Sequence, residues 1–204
     1  MSTFRGHKDL SNVSEQEYKS YTQRQIEKTS NPQKREKWLT VEHKYKVDEF
    51  KNLFNSYPAI KNVTNALCIA ARTGQEIVAL KEIGIPSVVG VDLVPCPPDV
   101  IYGDMHDLPF DDNKFDFVFS NSIDHSIAPE KMVKEATRVL KTGGLLFIHV
   151  QMGKKIISNS YDVIYVQDET EVKQLLDAAC NYEVIAAEHK TVLCGDYVYL
   201  IKKL

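Results

Sequence analysis

Short apolar runs alternate with amphipathic stretches along most of this chain. From Val63 onward the runs fall at 64–70, 87–92, 100–103, 115–120 and 144–150, and they predict strands. Helical spacing predicts helices near 74–83, 128–141 and 168–179. Leu145-Leu146-Phe147-Ile148-His149-Val150 is apolar at nearly every position, as in strands buried on both faces of a parallel sheet. Gly143-Gly144 is expected to end the preceding helix and turn the chain into that strand. The ending breaks the alternation. Two strand-like runs, 182–188 and 197–201, have no helix between them, only a linker containing Cys194-Gly195-Asp196. That predicts an antiparallel hairpin. The expected class is α/β, with a seven-stranded, mostly parallel sheet, an antiparallel last strand and helices on both faces.

Ahead of this region the pattern is helical. Ser14 and Glu17 form a capping-box spacing that opens a helix near 14–29. Ser30-Asn31-Pro32 stops it and starts another, with Pro32 at a first helical position. Leu39, Val47, Phe50 and Phe54 recur at helical spacing, so this second helix is expected to bury one face and run to about Tyr57, where Pro58 ends it. The chain thus divides into an N-terminal helical extension or lid, 1–60, and an α/β domain, 61–204.

The chain has 204 residues, 43% apolar and 26% charged, with a net charge of -3, which suits one domain with a real core. Residues 1–62 hold 12 Lys/Arg against 8 Asp/Glu, and the remainder 13 against 20. Acids interleave the bases, so the basic start is expected to be a solvated helix surface. No basic stripe with interleaved aromatics appears, which argues against a nucleic-acid acceptor. No apolar run has the roughly 18 residues of a membrane helix. The first residues lack the apolar core of a signal peptide and the glycine needed for myristoylation. Cys68, Cys96, Cys180 and Cys194 are scattered, without metal or disulfide spacing, which fits a cytoplasmic location. Asn12-Val13-Ser14 and Asn62-Val63-Thr64 match a glycosylation pattern and are read as chance.

Two acids end predicted strands, Asp92 after Ser87-Val88-Val89-Gly90-Val91 and Asp104 after Val100-Ile101-Tyr102-Gly103. Ligands of doubly wound sheets sit outside the carboxyl ends of the strands, and an acid roughly 20 residues past the first turn grips a ribose. Asp92 follows Gly74 by 18 positions. The array is suited to a nucleoside.

Gly103-Asp104-Met105-His106-Asp107-Leu108-Pro109-Phe110, then Phe115-Asp116-Phe117-Val118-Phe119-Ser120-Asn121-Ser122, resembles the class I S-adenosylmethionine-dependent methyltransferases, especially the small-molecule type called methyltransferase domain 11. Glu135 through Gly144 is similar to that family's helix-to-strand turn. The resemblance covers roughly 60–204 and implies a Rossmann-like fold, S-adenosyl-L-methionine as cofactor and a small-molecule acceptor. It implies that Asp92, with Leu93 beside it, holds the ribose. It implies that Asp104 and Met105 flank the adenine, and that Asn121 and Ser122 lie beside the sulfonium. His125 is a general-base candidate, against a loop-packing role. His106 is read as solvent-facing or structural.

The first loop departs from the family. An acid and three alternate glycines are usual, and Cys68, Ala70, Arg72 and Gly74 stand there, of which the resemblance implies that Ala70, Arg72 and Gly74 border the cofactor. The missing acid at 68 removes a usual anchor for the methionine amino group. Arg72 either meets the cofactor's carboxylate, a role guanidinium suits, or fills the pocket or faces solvent. After Asp92, Leu93-Val94-Pro95-Cys96-Pro97-Pro98 cannot make a proper helix. Tyr57-x-x-x-Lys61 matches a dehydrogenase pair but precedes the nucleotide strand, and is read as chance. Phosphate-loop, zinc-hydrolase and serine-elbow motifs are absent. Two readings remain: an active methyltransferase, and a non-catalytic module that keeps the fold for binding or regulation. The oligomeric state is open.

Overall fold

A computed structural model describes residues 13–153, 163–164, 166–193 and 195–204. Cys194 and Asn12, both singled out above, lie outside the described residues. The elements are α1 (Glu15–Ser30), α2 (Pro32–Leu39), α3 (His43–Asn55), β1 (Asn65–Ile69), α4 (Gln75–Glu82), β2 (Ser87–Asp92), β3 (Val100–Tyr102), β4 (Phe115–Ser120), α5 (Pro129–Val139), β5 (Leu140–Val150), α6 (Glu169–Asp177), β6 (Tyr182–Val192) and β7 (Gly195–Lys203).

The seven strands form one sheet in the order β3-β2-β1-β4-β5-β7-β6. The pairs from β3 through β5 are parallel, and β7 runs antiparallel between β5 and β6. The hairpin ending and the antiparallel last strand are therefore as expected from the sequence. Chain order reverses between β1 and β4, so the crevice for a ligand lies beyond their carboxyl ends.

Strand residues alternate between two cores. Leu67, Ile69, Phe115 and Val118 pack with Met132, Val133 and Ala136 of α5 and with Val172, Leu175 and Leu176 of α6. Ala66, Cys68, Phe117 and Phe119 pack with Phe50, Leu53 and Phe54 of α3 and with Ile77 and Leu80 of α4. Phe54 meets Phe117, Phe119 and Phe147 edge-on, with ring centroids 5.0–6.2 Å apart. Such geometry favours the ring quadrupoles beyond the area buried.

Three expectations need correction. The second helix is not continuous. It breaks at Thr40, whose φ of -119° and ψ of -84° are not helical, and restarts at His43. Trp38 is buried but Leu39 is exposed, so α2 and α3 bury differently directed faces. Gly143-Gly144 lies inside β5 rather than before it. Gly143 has φ +80°, and the β4–β5 register shifts between Phe115 and Phe117, so the pair forms an irregularity within the strand. His106 is 1% exposed, which removes the solvent-facing reading and leaves the structural one. As expected, no helix intervenes between β2 and β3.

Candidate active site

The turn after β1 is built like a glycine loop although it holds one glycine. Ala70 has φ +59°, Arg72 φ +47° and Gly74 φ +76°. These are the alternate positions at which the resembling family carries glycine. An L-residue in this conformation costs roughly 1–2 kcal/mol, so the surroundings must hold the loop. The Ala71 N–H donates to the Val91 carbonyl at 3.0 Å and the Gly74 N–H to the Ala71 carbonyl at 2.7 Å. Gly90 makes room for the turn: a Cβ there would sit 2.6 Å from Ile77 and 2.7 Å from Ala71.

Asp92 ties the loop to β2. Its carboxylate accepts from the Arg72 N–H and the Val94 N–H, both at 2.9 Å. One oxygen takes each bond, leaving lone pairs on both. The side chain is 8% exposed, and burial pushes its pKa up against those two bonds.

Asp104 stands across the opening. Its Oδ1 accepts from the His106 N–H at 2.9 Å and lies 2.9 Å from His106 Nδ1, while Oδ2 accepts from the Tyr18 hydroxyl. Burial raises its pKa, but the bonds from His106 and Tyr18 outweigh it and hold the carboxyl below its ordinary range. His106 Nε2 lies 2.7 Å from Ser126 Oγ, so this histidine braces the Asp104 turn.

Ala70, Arg72, Asp92, Leu93, Asp104, Met105, Ser122 and His125 all border one cavity of about 530 Å³, counting the part open to solvent. Eight of the ten residues expected from the sequence thus converge. The other two lie elsewhere. Gly74 caps the start of α4 beside Ile77 and Val100, and Asn121 borders an adjoining cleft. The remaining wall of the cavity comes from Gly103 and from α1, through Tyr21, Gln25, Lys28 and Thr29. Tyr21 donates to the His125 carbonyl at 2.8 Å. Lys28 Nζ lies 3.1 Å from His125 Nε2. An ammonium has only donors, so that ring nitrogen must accept. The capping box signalled this helix, but nothing in its sequence signalled which residues turn inward.

The adjoining cleft is bordered by Glu42, Tyr45, Lys46 and Phe50 of the α2–α3 region, by Arg72, Gln75 and Glu76, and by Asn121. Arg72 borders both spaces. Its guanidinium carbon lies 5.1 Å from the centre of the Trp38 ring, a cation–π arrangement. Gln75 donates to the Trp38 carbonyl at 2.8 Å, tying the end of α2 to the start of α4. Glu76 is 5% exposed, and burial pushes its carboxyl up to about 7.

Residues 67–148 match a family model described as a methyltransferase domain. Over 64 residues the chain is 38% identical to an uncharacterised protein of Methanocaldococcus jannaschii, covering 31% of each. Over 107 residues it is 36% identical to the mitochondrial 2-methoxy-6-polyprenyl-1,4-benzoquinol methylase of Bos taurus, covering 51% of this chain and 28% of that one. The matches thus span about three tenths of the length of these curated relatives. Among solved structures, a 1,6-didemethyltoxoflavin-N1-methyltransferase of Burkholderia thailandensis, with 1,6-didemethyltoxoflavin and S-adenosylhomocysteine bound, superposes with a TM-score of 0.69. It is 17% identical, covering 93% of this chain and 90% of that one. A Thermotoga maritima protein described as a possible histamine N-methyltransferase gives 0.62 at 22% identity, covering 87% and 97%. At these identities the structural likeness is one of fold.

Proposed function

We propose, from the match of residues 67–148 to a methyltransferase-domain model, that this chain is a class I S-adenosylmethionine-dependent methyltransferase and that it methylates a small-molecule acceptor. The observation that carries the proposal is the convergence of Asp92, Asp104 and Met105 on one cavity above the left-handed loop. These residues fit S-adenosylmethionine. Asp92 keeps lone pairs on both oxygens, enough to accept from two vicinal hydroxyls. Met105 and Leu93 supply apolar surface for a flat base. The small Cβ of Ala70 and the left-handed turn keep the loop backbone close to the space.

When bound, the cofactor supplies a methyl group already activated on a sulfonium. The protein's task is therefore mainly alignment and exclusion of water. Asp92 would hold the ribose end, and Asp104, whose Oδ2 now accepts from the Tyr18 hydroxyl, would be the acceptor for the adenine amino group. Arg72, now over the Trp38 ring, would be the partner for the carboxylate at the amino-acid end. Ser122 would border the reacting end, with Asn121 on the adjoining cleft, and residues 1–60 would act as the lid, with α1 as its inner wall. His125 would serve as general base if Lys28 withdrew from Nε2, because the lone pair that would take the proton is the one accepting from the Lys28 ammonium. The retained loop geometry supports binding, and no observation favours a non-catalytic module.

The names of the relatives suggest hydroxylated rings and ring nitrogens as first acceptors to try. The test is release of S-adenosylhomocysteine from S-adenosylmethionine against a panel of quinols, phenols and heteroaromatic amines. Acceptor-dependent release supports the proposal. A folded protein that binds neither cofactor form, and turns over no acceptor, removes it.

A further inference from the structure

The family's usual acid at the end of β1 is Cys68 here, fully buried on the α4 side of the sheet. Burial raises its thiol pKa well above the ordinary value, with a further push from Glu76. It is thus neutral and cannot hold a cation. Ile77, next to Glu76, packs in the same core as Cys68, so the first turn of α4 adjoins the end of β1.

Glu76 is 5% exposed and borders the cleft that continues from the main cavity past Arg72. Its carboxylate takes a hydrogen bond from its own backbone N–H, and no side chain among the described residues pairs with it. The nearby cations are engaged elsewhere. Lys46 is 2.6 Å from Glu42, and the Arg72 guanidinium lies over Trp38. Burying a carboxylate without a counter-charge is unfavourable, and such groups gather at functional sites. The charges of Arg72 and Lys46 favour the ionised form of Glu76 and that of Asp92 opposes it, but none of them outweighs burial.

We propose that Glu76 is the anchor for the α-ammonium at the cofactor's amino-acid end, a role moved from β1 to α4 in this chain. With Arg72 on the same cleft, the two present opposite charges to a zwitterion. This rests on the function proposed above, and the experiment separates the two.

Calorimetry is carried out on the full chain and on Glu76→Gln with S-adenosylhomocysteine, its des-amino analogue and 5′-methylthioadenosine, which lacks the amino-acid end. The expected result is that Glu76→Gln weakens S-adenosylhomocysteine at least tenfold and changes the other two less than twofold. A purely structural role moves all three ligands together, and an idle one moves none; either overturns the proposal while leaving the cofactor reading intact. If Glu76→Gln does not fold, Glu76→Asp keeps the charge and must weaken S-adenosylhomocysteine severalfold with the des-amino analogue unchanged. Failure of the full chain to bind any of the three overturns both proposals.

Discussion

Ala70 and Arg72 adopt left-handed backbone conformations that the resembling family meets with glycine. The loop therefore kept its shape and gained a guanidinium at its mouth. Arg72→Ala is expected to weaken S-adenosylmethionine and S-adenosylhomocysteine to a similar degree, since both carry the carboxylate, and Arg72→Lys to recover only part. Tighter binding by Arg72→Gly, read by calorimetry, would show instead that the arginine obstructs. Glu76 makes a prediction about pH. Its folded-state pKa of about 7 lies above the ordinary 4.5, so between these values the folded chain holds a proton that the unfolded chain has released. That contribution is complete below 4.5 and is lost as pH rises through 7, an amount of roughly 3 kcal/mol. Urea unfolding of the chain and of Glu76→Gln should show the difference moving against the wild type by about that much from pH 4.5 to 8. A pH-independent difference contradicts a buried ionising carboxyl. The placement of Asp92, Asp104 and Met105 around one cavity was legible because strand ends expose chemistry at fixed places. Glu76 was not, because an acid in a helix's first turn is ordinary and is favoured there by the helix dipole.

At the scale of elements, local signals did well where one residue decides the backbone. Ser14 and Glu17 form the capping box that opens α1, and Asn31 accepts from the Lys34 N–H to start α2. They failed where tertiary packing decides. The α2–α3 break serves two directions of burial that one helical period does not separate, and the irregularity at Gly143 depends on β4 alongside. Nor could the sequence bring Tyr18 to Asp104, a contact across 86 residues. Because α1 walls the cavity but packs through a small cluster of its own, with Tyr21 against Ile127 and Ala128, it is separable from the main cores. Removing residues 1–30 should leave a folded core that binds cofactor but turns over more slowly, checked by calorimetry and by product release. Full activity in that truncation removes the lid role.

For the whole molecule, the alternation of strands and helices and the hairpin ending made the sheet legible, including its antiparallel last strand. The lateral strand order depends on long-range pairing that periodicity does not carry. That order puts the chain reversal between β1 and β4, and the candidate site sits above it. Among the described residues no helix is long and apolar enough to cross a membrane. The central claim is that this crevice holds S-adenosylmethionine through Asp92. Its most direct test is calorimetry of S-adenosylhomocysteine against the full chain and Asp92→Ala, with folding checked by circular dichroism. One-to-one saturable binding, weakened at least tenfold in a folded Asp92→Ala, is the expected result, since a hydrogen bond to a charged acceptor is worth about 1.5 kcal/mol or more. Equal affinity in the folded variant, or no binding to the full chain, contradicts it.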